Sequence, residues 1–230
     1  MKHLIVLLLF SQTLAAQTLP VALKKSLWAD ARGELTVSQE GITFQASDQE
    51  EAHTWAYRDI QGFDRISKTE FVILSYEDQR WKLGRDRRYH FTATSGELSD
   101  ELFERIRERM AKPVTNRVVG EVSGAEYQLP VKHLHSFGGC EGQLIFTPEA
   151  IYYETKHAED RRAWRLTTEV ESVWSAQPHE LELHVYENNP REFSRTRIYK
   201  FSLKEPLDSE FYRRLKLKLY NLDASRASNR

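Results

Sequence analysis

The chain reads one passage twice, and that constrains its fold more than anything else in it. Gly33-Glu34-Leu35-Thr36-Val37-Ser38 lies in register with Gly142-Gln143-Leu144-Ile145-Phe146-Thr147: Gly on Gly, Leu on Leu, large apolar on large apolar, hydroxyl on hydroxyl, at an offset of about 109 residues. Glu40-Gly41-Ile42-Thr43-Phe44 meets Glu149-Ala150-Ile151-Tyr152-Tyr153 at the same offset, and Trp55 meets Trp164. Tyr76-Glu77 then meets Tyr186-Glu187, and Tyr89 and Phe91 meet Tyr199 and Phe201, the offset having grown by one residue as a loop insertion produces. Leu19-Pro20-Val21 is echoed by Leu129-Pro130-Val131. A register sustained this long marks a duplication, so one folding unit must account for both halves.

Within each copy the apolar residues first alternate. Leu35 and Val37, Ile42 and Phe44, and Phe71 and Ile73 are separated by polar residues, the period of half-buried strands. Gln39-Glu40-Gly41 and Thr147-Pro148-Glu149 supply turn chemistry and predict a hairpin in each copy. The period then changes. Ser99-Asp100-Glu101 offers a cap and an acidic first turn, followed by Leu102, Phe103, Ile106 and Met110 at helical spacing. Asp208-Ser209-Glu210 with Phe211, Tyr212, Leu215 and Leu219 repeats the device. The expected fold class is α+β, mostly β: two units at 17–112 and 128–222, each a small curved antiparallel sheet or partly open barrel capped by a C-terminal helix. The polar, Gly-containing stretch 113–127 reads as the linker and 223–230 as a disordered tail.

The first residues are of another kind. A basic start at Lys2, an apolar run from Leu4 to Phe10 and the small residues Ala15-Ala16 are the three parts of a signal peptide, with cleavage expected near Ala16. The apolar run is shorter than the roughly 20 residues a membrane helix needs, and no later segment reaches that length. An exported chain, periplasmic or extracellular, is therefore expected. Cys140 is the only cysteine, which excludes an internal disulfide and leaves stability to packing. The formal net charge of −1 and a pI near 6.7 provide no basic field for nucleic acid.

A hairpin of the form Gly-x-Leu-x-[Val/Phe]-[Ser/Thr]-x-x-[Gly/Ala]-Ile-x-[Phe/Tyr], several further strands and one C-terminal helix resemble the GRAM branch of the pleckstrin-homology-like superfold, in both copies. Trp55-Ala56-Tyr57-Arg58-Asp59-Ile60 is similar to the family's approach to its next strand; the second copy departs there, reading Trp164-Arg165-Leu166-Thr167-Thr168-Glu169-Val170. The resemblance implies adaptors that bind lipid headgroups, peptides or proteins. Its matching positions speak for fold rather than for ligand.

Three groups of residues are candidates for binding. Arg85, Arg87 and Arg88, flanked by Arg80 and Lys82, correspond to Arg195 and Arg197, flanked by Arg191 and Lys200. Guanidinium groups suit phosphate or carboxylate partners because their planar forks donate paired hydrogen bonds. Glu77, Asp78, Asp86 and Glu192 stand close enough in sequence to neutralise them, so a solvated charged face is the competing reading. His133 and His135 share one face of a strand, with Cys140 and Glu141 following, which offers either a zinc ligand set or surface histidines on an edge strand. Trp28, Trp81 and Trp174 lack a counterpart in the other copy and are interface candidates, whereas the equivalent Trp55 and Trp164 read as core.

No nucleophile elbow, phosphate-binding glycine loop or dinucleotide fingerprint is present. Gly138-Gly139-Cys140 with a histidine base reads more simply as a loop between strands, and the Glu50-Glu51 and Glu180/Glu182 pairs lie in polar stretches. No catalytic residue, cofactor or resident metal is assigned. The expected function is non-enzymatic recognition of an envelope protein or peptide through strand edges or loops. The alternative is peripheral binding of anionic phospholipid headgroups by the arginine clusters, and a metal- or cysteine-dependent enzyme is third.

Overall fold

The computed structural model describes residues 16–25, 29–48, 50–79, 85–187 and 196–228, with the backbone alone for Arg85 and for 222–228. The proposed signal peptide, Trp28, Trp81, Arg80, Lys82, Arg191 and Arg195 lie outside the described residues.

The first copy builds seven strands and a helix: β1 (Gln17–Leu23), β2 (Ala31–Val37), β3 (Gly41–Ala46), β4 (Ala52–Ala56), β5 (Ile60–Arg65), β6 (Glu70–Gln79), β7 (Arg85–Ala93) and α1 (Asp100–Arg109). A short strand, β8 (Val114–Asn116), follows. The second copy repeats the order with β9 (Tyr127–Leu134), β10 (Gly139–Phe146), β11 (Ala150–Thr155), β12 (Arg162–Arg165), β13 (Val170–Trp174), β14 (Glu180–Tyr186), β15 (Thr196–Leu203) and α2 (Ser209–Ser228).

Each copy forms its own sheet. The orders are β4-β3-β2-β1-β7-β6-β5-β8 and β12-β11-β10-β9-β15-β14-β13, so the first and last strands of each unit pair antiparallel and the two meanders join into one curved, open sheet. Two units of the same strand order, each with its own C-terminal helix, thus stand in tandem, and they do not share a sheet. The duplication reaches the level of register. Leu19 faces Leu35 as Leu129 faces Leu144, and Ile42 faces Trp55 as Ile151 faces Trp164.

The shared glycine has a steric reason. A Cβ on Gly33 would lie 2.1 Å from the Gln45 carbonyl oxygen, and one on Gly142 would lie 2.2 Å from that of Glu154. Each glycine lets the neighbouring strand's backbone pass across the bend of the sheet, closer than any side chain permits.

Two separate apolar cores result. In the first, Leu35, Ile42, Phe44, Trp55, Phe71 and Phe91 are buried under Leu102, Phe103 and Ile106 of α1. In the second, Leu144, Phe146, Ile151, Tyr153, Trp164 and Phe201 meet Phe211, Leu215 and Leu219 of α2. The helix starts expected from sequence are present: the Ser99 hydroxyl accepts from the Leu102 N–H at 3.1 Å, and Asp208 Oδ1 from the Phe211 N–H at 2.6 Å.

Two boundaries move. Val114–Asn116, inside the stretch expected as linker, pairs in parallel with β5, so chain without regular structure between the units begins only after Asn116. Helix α2 runs through Ser228, into the expected tail 223–230, because nothing after Leu219 breaks a helix and Ala224 and Ala227 favour one.

The units dock on each other through charge. Arg107 of α1 donates from Nε to Glu169 Oε1 at 2.6 Å and from Nη2 to Glu169 Oε2, and from Nη1 to Glu104 at 2.9 Å. Arg165 of the second unit closes the set by donating to Glu104, and its backbone N–H donates to Glu169 at 2.8 Å. The Arg107 and Glu169 side chains are each 7% exposed. Burial pushes the Glu169 carboxyl up, and the Arg107 fork opposes it. Arg117 adds a second tie, holding Asp64 of the first unit at 2.7 Å and the Glu159 carbonyl of the second at 3.4 Å.

Candidate functional site

The polar candidates collect at one end of each sheet, beside the connection that carries the arginine cluster. In the first unit a strand-crossing set repeats no turn or core requirement. Trp55 donates from its indole nitrogen to Glu77 Oε1 at 3.3 Å, and the Tyr89 hydroxyl donates to Glu77 Oε2 at 2.6 Å. The Arg87 guanidinium lies 4.9 Å over the Tyr89 ring and 3.7 Å from Glu77. In the second unit Trp164 and Tyr199 hold Glu187 at 2.7 and 2.6 Å, and Arg197 lies 4.7 Å over Tyr199 and 3.7 Å from Glu187. A Trp–Glu–Tyr–Arg constellation has therefore been kept in both copies. Burial and the facing carboxylate push both phenols well above the ordinary tyrosine range, so both remain donors.

The five arginines divide. Arg87 and Arg197 are equivalent, each stacked on a tyrosine and facing a glutamate, while Arg88 is exposed and sits opposite Leu74. The backbone of Arg85 opens β7, and Arg195 falls outside the described residues.

The two ends differ in what surrounds the constellation. In the first unit, Lys25 lies 2.7 Å from Glu51, and Glu51 also holds the His53 ring at 3.0 Å. His53 stacks on Trp55 at 5.5 Å and meets Tyr89 at a tilt, 4.7 Å between centroids. In the second unit the repeat puts His135 where Lys25 stood, Asp160 where Glu51 stood and Arg162 where His53 stood. Arg162 is 3% exposed and donates to the Tyr199 hydroxyl at 2.8 Å and to the Glu159 carbonyl at 2.8 Å.

His133 and His135, expected on one strand face, do converge. His133 Nδ1 lies 2.9 Å and His135 Nε2 3.2 Å from the same atom, Asp160 Oδ2, and the two rings are 4.4 Å apart. Cys140 pairs directly across from His133, with its thiol against Asp160; burial, then that carboxylate, pushes the thiol up. Glu141 instead pairs with Lys204 at 2.9 Å. Tyr153, whose phenol burial pushes up to about 12, donates to the Cys140 carbonyl at 2.7 Å.

Sequence reasoning missed Asp160, which sits in a 3-10 turn (Ala158–Asp160); it read Arg87 and Arg197 as members of the arginine clusters, Glu77 as a neighbouring charge and Glu187 only as the repeat of Glu77. The shared offset that linked Trp55 to Trp164 and Tyr89 to Tyr199 also links these pairs, and that was the available signal. Trp55 and Trp164 are core, as expected; Trp174 stands 60% exposed on β13, the outermost strand of its sheet.

No protein-family profile matches the chain, and no curated protein matches it. Among solved structures it is similar to one described as "Vps36 N-terminal PH domain", at 14% identity and a TM-score of 0.34, covering 46% of this chain and 86% of that one. It is also similar to one titled "Structure of the Spt16D Pob3N heterodimer", at 12% identity and a TM-score of 0.29, covering 81% of this chain and 94% of that one.

Proposed function

We propose that this chain is an exported, non-enzymatic binding protein of the cell envelope, whose tandem units, of the GRAM branch, work as one body to hold a protein or peptide partner. The observation that carries this reading is Trp174, a large aromatic exposed on the edge strand β13. An edge strand offers unpaired backbone groups to an added strand, and an adjacent tryptophan supplies the apolar anchor that such contacts favour. The buried Arg107–Glu169 contact supports the one-body part, because a partner touching either unit meets a fixed relation to the other. Among the described residues no helix is long and apolar enough to cross a membrane. The alternative of anionic headgroups has less behind it: among the described arginine side chains of the clusters, Arg87 and Arg197 already face carboxylates, and Arg88 is exposed.

The test is a photo-crosslinking residue at position 174 in intact cells. A discrete crosslinked protein, absent when the label is at Lys218 and lost on adding a Trp174→Ala competitor's wild-type parent in excess, supports the reading. No crosslink at 174, together with flotation of the purified protein on anionic but not neutral liposomes, would replace it with the lipid alternative.

A further inference from the structure

We propose that the second unit carries a binding site for a divalent transition-metal ion of the zinc type, with His133, His135 and Asp160 as its ligands. The ligand atoms of these three residues lie within 4.8 Å of one another. Two imidazoles and a carboxylate, with a thiol beside them, are the donors zinc takes.

Geometry supports more than proximity. Two ligands at ordinary zinc distances in a tetrahedron stand about 3.3 Å apart. The His133–Asp160 and His135–Asp160 separations are 2.9 and 3.2 Å, close to that edge, and with all three ligand atoms within 4.8 Å of one another it is the two imidazole nitrogens that must close on each other to share an ion. His133 is 4% exposed and locked among Tyr153, Tyr199 and Phe201, which fixes one ligand. The His135 side chain is 37% exposed, which gives it room to close and gives the ion a way in.

The duplication supplies the charge argument. The equivalent carboxylate of the first unit, Glu51, is matched by the Lys25 ammonium at 2.7 Å. In the second unit that lysine has become His135, and position 23, an apolar leucine in the first copy, has become His133. Asp160 is therefore a carboxylate with an 8% exposed side chain that faces two imidazoles where Glu51 faces an ammonium. Arg162, which stands where the first unit has His53, acts on Asp160 through its charge but gives its hydrogen bonds to Tyr199 and to the Glu159 and Arg161 carbonyls and lies 3.5 Å from Glu187. A bound dication puts a cation in direct contact with Asp160, as Lys25 is with Glu51 in the sister unit. Three protein ligands leave a fourth position, beside Cys140, for water or the thiolate.

The experiment uses the full purified chain, prepared without a histidine tag and stripped with chelator. Zinc is titrated against a chromophoric competitor, and bound metal is counted by elemental analysis. One zinc per chain is expected, with affinity falling at least about tenfold in both His135→Ala and Asp160→Asn and unchanged in His179→Ala, a histidine outside the cluster. His135→Ala is the decisive variant, because its partly exposed ring can be removed without opening the core; far-ultraviolet circular dichroism checks that it is folded. Absence of stoichiometric uptake by the wild-type chain, or equal affinity in wild type and His135→Ala, overturns the site.

Discussion

At the residue scale, Glu51 shows how the polar end of a unit responds to acid. Burial raises its carboxyl, but hydrogen bonds from Lys25 and His53 outweigh burial and hold it below its ordinary value of 4.5. A group depressed in the folded state contributes stability that is fully present above its unfolded value and is lost as pH falls through the folded one. Unfolding free energy should therefore decline on acidification below about pH 4.5, and Glu51→Gln should remove part of that decline, up to about 1 kcal/mol for so small a pair. Urea titrations of both proteins between about pH 6 and pH 3 check this; parallel curves would show that Glu51 contributes nothing. Such partnerships are poorly visible in a linear sequence. Trp55, Tyr89 and Glu77 could be matched with their second-copy equivalents, but that they bond to one another depends on which strand faces lie together. Asp160 is harder still: it reaches His133 across 27 residues, and only the path through β10 and β11 brings it back.

At the element scale, helix α1 is fixed to its sheet by a buried cation. Arg65, 1% exposed at the end of β5, donates to Asp100 Oδ1 at 2.7 Å and to the Leu98 carbonyl at 2.8 Å, and its guanidinium lies 4.9 Å over Phe103. It thereby holds the helix's first residue, the turn before it and its buried ring. Arg65→Ala loses the bonds, the stacking and the packed stem together and should cost about 2–4 kcal/mol. Arg65→Lys should recover only part, since an ammonium lacks the fork. Arg213→Ala, whose side chain is 62% exposed beside Glu210, should stay within about 0.5 kcal/mol. Denaturant unfolding orders the three, and a cost for Arg65→Ala no larger than for Arg213→Ala would refute the anchoring role. The elements themselves were largely legible, because caps, turns and apolar periods are local: Ser99 and Asp208 announce their helices. Strand β8 was not. Three residues show no period, and its pairing with β5 joins segments about fifty residues apart, Phe63 beside Val114.

At the scale of the whole molecule, the question is whether two units that duplicate one another still unfold separately. Their interface uses the two copies differently: Ile60 and Val170 open equivalent bulged strands, so Glu169 stands where the first unit has Asp59, which is exposed, whereas Glu169 is buried against Arg107. Parting the units forfeits the attraction and hydrogen bonds of this pair while returning both charges to water, whereas removing one partner in the docked state leaves the other charge desolvated and costs about 3–5 kcal/mol. That coupling should merge the unfolding of the units into one calorimetric transition. In Glu169→Gln the transition should fall in temperature and divide into two. A single transition alone also fits two units of equal stability, so the discriminating step is to perturb one unit. With Glu169 intact, Arg65→Ala in the first unit should lower the whole transition; in the Glu169→Gln background it should lower one component and leave the other in place. If Arg65→Ala already shifts only half of the heat absorption while Glu169 is present, the units are independent, and the charged interface orients them without coupling their stability.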